Sequence, residues 1–165
     1  MANTQSMCTS FLGEIMNGGH QLGTITLVSR GSLTAPTVDT LKAALYLTTA
    51  TKNASTTAFT TSDATEVSGT GYTSGGITVT NATAPIATNS SATAGVAYWT
   101  SSASFVYTTV TLSTAFDTVL LYNSTQNNTA ISVHTFGSQT ITAGTFTLTM
   151  PSNTTTTALL RLATT

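Results

Sequence analysis

The chain has 165 residues, 40% of them apolar but only 5% charged, with a net charge of −1. Ordinary globular domains carry about 25% charged residues, so this surface must be wetted by hydroxyls and amides. With four scattered cations, Arg30, Lys42, Lys52 and Arg161, no basic stripe exists to release phosphate counterions, and nucleic-acid binding is not expected. The apolar runs, such as Val119–Tyr122, fall far short of the ~20 residues of a spanning helix. No basic and apolar leader opens the chain, so neither membrane insertion nor export by a signal peptide is expected. A length of this order suits one domain with a self-sufficient core.

Ser10–Met16 places Phe11, Leu12, Ile15 and Met16 on a helical stripe, ending at Asn17-Gly18-Gly19, which is a stop signal. Residues 1–22 are therefore expected as a short helix or arm, and 23–165 as a single β domain. Threonine makes up about a quarter of the chain, and a β-branched side chain suits a pleated sheet better than a helix. Thr24–Leu27 alternates, and Arg30-Gly31-Ser32 turns. Leu41–Thr48 reads as a strand, although Leu41, Ala44, Leu45 and Thr48 also share a helical face. Thr49–Ser74 is small and polar, a predicted loop or edge meander. Gly75-Gly76 then leads into a strand at Ile77–Thr80.

Asn81–Gly95, with Pro85, is predicted as a second loop. Short strands follow at 97–99, 105–112, 117–122, 130–136, 145–150 and 159–162. Their expected separators are Ser113-Thr114-Ala115, Asn123–Asn128, Gly137-Ser138, Ala143-Gly144 and Pro151-Ser152-Asn153. Thr154–Thr157 links the last two. Strands at this spacing, without helices between them, predict an all-β antiparallel sandwich of jelly-roll or Greek-key type.

Chemistry is sparse. Cys8 is alone, so an intrachain disulfide and a multi-cysteine zinc site are excluded, and it reads as a small buried apolar residue. Asn-x-Ser/Thr triplets such as Asn53-Ala54-Ser55 are expected by chance in so Asn- and Thr-rich a chain. Asp63 and Glu66 read as solvated loop carboxylates, His134 as a satisfied strand residue, and His20 as a turn residue without a second ligand at metal spacing. Nucleophile elbows, dinucleotide fingerprints and phosphate loops are missing. Neither a catalytic residue, a metal nor a cofactor is expected. Tyr98, Trp99, Phe105 and Tyr107 read as a buried aromatic cluster or, less economically, as a platform for a sugar ring.

Glu66-Val67-Ser68-Gly69-Thr70-Gly71-Tyr72-Thr73-Ser74-Gly75-Gly76 resembles the EVSGTGYTAGG signature of a family of small tailed-bacteriophage virion proteins. Asp39–Tyr46 is similar to that family's DTIKVALY strand, Ala97-Tyr98-Trp99 to its aromatic strand, and Val119–Asn123 to its ALIYND segment. Phe136-Gly137-Ser138 with Thr142–Thr147 resembles its FGSD…TAGTFT, so the resemblance runs in order over about residues 39–162. Residues 17–38 depart from the pattern as an apparent insertion. The resemblance implies a non-enzymatic virion structural protein. The reading favoured is a capsid decoration (cement) protein, made in the host cytoplasm and carried on the virion surface. Its partner is then the major capsid protein, bound by a homodimer or homotrimer, with Phe11, Leu12, Ile15 and Met16 as the candidate contact. The alternative is a tail-tip or fibre module that binds host glycan through the four aromatics.

Overall fold

The computed structural model describes residues 3–16, 18–23, 37–80, 83–88 and 95–163. The strand and turn expected at 24–32 lie outside the described residues. After a two-residue strand β1 (Ser6–Met7) comes helix α1 (Thr9–Met16). Seven further strands are β2 (Leu41–Leu47), β3 (Ile77–Thr78), β4 (Ile86–Thr88), β5 (Val96–Trp99), β6 (Phe105–Asn123), β7 (Thr129–Leu148) and β8 (Leu160–Ala163). They form two antiparallel sheets, ordered β1-β7-β6-β2-β3 and β4-β5-β8. One apolar core joins them, from Cys8 and Phe11 on the N-terminal segment through β2, β6 and β7 to Trp99 and Leu160 on the small sheet. The fold is all-β and sandwich-like.

The helix stops where the two glycines require. Gly18, at φ +69°, donates its N–H to Ile15 O (3.2 Å), and Gly19 donates to Glu14 O (2.7 Å). This bond pair is the Schellman arrangement, which satisfies the last carbonyls of the helix. Phe11 is buried and Ile15 packs on the core, whereas Leu12 is 40% exposed. The amphipathic stripe thus closes this chain's own core. The Met16 side chain lies outside the described residues.

β2 lies where a strand was expected, and the strand pattern differs farther along the chain. β2 is buried on both faces, with Leu41, Ala43, Ala44, Leu45 and Tyr46 all at 0% exposure. That is why its apolar residues fit a helical face as well as an alternating one. The four strands expected between 105 and 150 are two, joined into a single long hairpin. Its register shifts lie between Tyr107 and Val110, Val110 and Leu112, Leu112 and Phe116, Phe116 and Thr118, and Leu121 and Tyr122. These intervals, with their β7 partners, take in Ser113-Thr114-Ala115, Gly137-Ser138 and Ala143-Gly144. Small residues there make β-bulges, which bend and twist a strand without ending it. The genuine turn falls at 124–128, where Asn127 and Asn128 sit at positive φ (52° and 59°), a conformation asparagine tolerates. β4 also lies within a segment expected to be loop, and it pairs Ile86 with Tyr98 and Thr88 with Val96.

Candidate functional site

The 66–76 segment straps down two open sheet edges. β3 pairs only Lys42 and Ala43 of β2, so the rest of that edge needs other partners. Val67 N–H donates to Leu45 O (3.0 Å) and Leu47 N–H to Thr65 O (2.9 Å). The Leu45 N–H is taken by the Tyr72 hydroxyl (3.0 Å). β2 reaches β6 only between Phe116 and Asn123, and farther along β6 Thr111 N–H donates to Thr70 O (2.9 Å).

Glu66 holds the strap in shape. It is only 8% exposed, which corrects its reading as a solvated loop carboxylate. Its Oε1 accepts from the Tyr72 hydroxyl (2.9 Å) and from Gly75 N–H (2.6 Å), and its Oε2 accepts from Ser74 Oγ (2.7 Å). A buried carboxylate is tolerable because these donors replace its water. Burial, aided by the Glu66 charge, pushes the Tyr72 hydroxyl far above its usual range and the Tyr122 hydroxyl up to about 12. Tyr122 donates to Gly75 O (2.8 Å) and Tyr107 to Ala43 O (2.8 Å). Gly76, at φ +72°, lies so close to β2 that a Cβ would run into the Ala43 carbonyl oxygen. Asp63 sits beside the strap, where Lys52 Nζ reaches its Oδ2 at 2.7 Å. Burial raises the Asp63 carboxyl, but bonds from Lys52 and Thr65 outweigh it and hold the group below its usual range.

A second polar cluster joins elements far apart in sequence. Asn123, fully buried, accepts at Oδ1 from Thr125 N–H (3.1 Å) and Gln126 N–H (3.2 Å), so its orientation is fixed. Its Nδ2 then donates to Asp39 Oδ2 (2.6 Å) and His20 Nδ1 (2.9 Å). Because His20 Nδ1 accepts, its proton is on Nε2, which donates to Glu14 Oε2 (2.6 Å). Asp39 also receives Gln21 N–H (2.8 Å) and Gln126 Nε2 (3.2 Å). This cluster ties the helix terminus to β2 and to the β6–β7 turn. Its polar atoms are engaged with one another, which is structural work.

Beside it lies a cavity of about 340 Å³ between α1 and the small sheet. Phe11, Ile15, His20 and Leu22 form one wall; Trp99, Leu160, Arg161 and Leu162 belong to the other.

The four aromatics do not meet as one cluster. Trp99 (1% exposed) and the partly buried Tyr98 line the cavity, with the indole N–H on Thr83 O (2.8 Å). Phe105 (1%) and Tyr107 (3%) lie in the core of the large sheet, where Tyr107 packs near Tyr72 and Phe146. They offer no exposed four-ring platform. His134 bonds Ser132 Oγ (2.8 Å), and burial pulls its imidazole down to about 4. Cys8 is fully buried, and burial with the nearby Glu14 charge raises its thiol to about 11, the state of an inert cysteine. Among the described residues no group of three or more His, Cys, Asp and Glu could hold a metal ion. No described helix is long and apolar enough to cross a membrane.

The sequence exposed the strap as a motif but not its purpose. The Glu14–His20–Asn123–Asp39 cluster left no local signal, because its members are separated by up to 109 positions of chain. Comparison with family models, characterised proteins and solved structures finds no match.

Proposed function

We propose that this chain is a non-enzymatic structural component of a tailed-phage virion, a decoration protein that seats as a homo-oligomer on the shell of major capsid protein. The observation that carries the reading is where the resembling segments fall. Asp39–Tyr46, Glu66–Gly76, Val119–Asn123 and Thr142–Thr147 are β2, the strap over its edge, and the body of the long hairpin. What the resemblance covers is thus scaffold, and its two buried carboxylates, Asp39 and Glu66, each accept from three donors within the fold. A shared scaffold without a shared reactive centre supports a structural role.

The surface chemistry supports it too. Thr, Ser and Asn contacts depend little on salt, unlike ion pairs, and lattice symmetry multiplies a weak contact into firm attachment. The contact is not assigned to the whole N-terminal stripe, since Phe11 and Ile15 serve the core and Leu12 is the exposed member.

The test is immunogold electron microscopy of intact virions with antibody against this chain. Gold distributed over the head is the expected result. Gold confined to the tail, or no labelling of virions, overturns the decoration reading.

A further inference from the structure

We infer that the cavity between α1 and the small sheet is a binding site for a single-chain anionic amphiphile with an alkyl chain of about ten carbons. This stands independently of the virion reading. The walls are aliphatic and aromatic, chiefly Phe11, Ile15, Leu22, Trp99, Leu160 and Leu162. The ring nitrogens that line it are engaged within the fold. His20 bonds Glu14 and Asn123 through its two nitrogens, and the Trp99 indole bonds Thr83 O. The interior therefore favours hydrocarbon.

Size and charge narrow the choice. A cavity of ~150 Å³ lined by Leu, Ile and Phe takes benzene; about 340 Å³ takes a chain of roughly ten carbons on that scale. The charged side chain among the described lining residues is Arg161, which is exposed to solvent. Its Nε donates to Thr155 O (2.6 Å), which fixes the guanidinium there and suits an anionic head. Among the described residues, Leu162 of this lining is a large apolar side chain left 38% exposed.

Trp99 is the chain's single tryptophan and sits in the cavity wall, so its fluorescence reports occupancy directly. Decanoate, kept below its micelle concentration, is titrated into the full chain, with decanol and decyltrimethylammonium as comparators. The expected result is a saturable one-to-one change with decanoate, about fivefold weaker with the cationic amphiphile. Arg161→Gln weakens decanoate by about the same factor and leaves decanol unchanged. Ala97→Phe, which fills the cavity, abolishes binding while the thermal melt stays that of the parent. No saturable change, equal binding of both charged amphiphiles, or undiminished binding by a folded Ala97→Phe protein overturns the assignment.

Discussion

Replacing Glu66 by alanine tests the strap most directly. The side chain receives three hydrogen bonds, but they do not count equally. Ser74 is exposed and turns to water at little loss. Gly75 N–H is buried and Tyr72 is largely enclosed, and an orphaned buried donor costs roughly 1–3 kcal/mol. Two such donors, together with the freed strap, set the expected loss at about 4 kcal/mol. That is a large fraction of the ~5–15 kcal/mol that holds a domain folded. With a urea slope of about 2 kcal/mol per molar, the midpoint falls by about 2 M. Glu66→Gln is the discriminating control. Its carbonyl replaces Oε1 and keeps both buried donors, while its amide faces Ser74 Oγ, which can accept. The expected loss is about 1 kcal/mol. A Glu66→Ala midpoint within ~0.5 M of the parent, or a glutamine variant as unstable as the alanine one, would show that these bonds do not hold the strap.

Three further perturbations separate neighbouring causes. The Tyr46 hydroxyl is buried without a hydrogen-bond partner, unlike that of Tyr107, so Tyr46→Phe raises stability by up to about 1 kcal/mol while Tyr107→Phe lowers it by about as much; urea melts of the pair should move in opposite directions. Gly76→Ala drives a Cβ onto the Ala43 carbonyl and yields no folded protein by near-ultraviolet circular dichroism, whereas Gly137→Ala, which meets nothing within 4 Å, folds normally. His134, held near 4 in the folded chain against an ordinary 6.5, takes up its proton more readily when unfolded. Stability from this residue is therefore intact above pH 6.5 and is lost as pH falls toward 4, by at most about 3 kcal/mol; His134→Gln should flatten that part of a stability–pH curve, and an unchanged curve would sink the assignment.

How far local pattern reaches is clear from particular elements. The helix over 9–16 and its stop were legible because Phe11, Ile15 and the two glycines each lie about one turn from the next. The all-β class followed from threonine abundance and short apolar alternations. The number of strands between 105 and 150 was not legible, since Gly137-Ser138 and Ala143-Gly144 have the same composition in a bulge as in a turn. Only pairing across the hairpin decides between the two. Glu66 was misread for a related reason: a carboxylate among Ser, Thr and Gly looks solvated until β2 closes over it. Fold class, the helix, the scarcity of reactive groups and the existence of a distinctive strap are written in composition or in near neighbours along the chain. Tertiary structure alone decided that the strap seals two sheet edges, that His20 meets Asn123, and that Trp99 faces a cavity while Tyr107 fills the core. Those contacts join residues distant along the chain, and only the closed sheets bring them within reach.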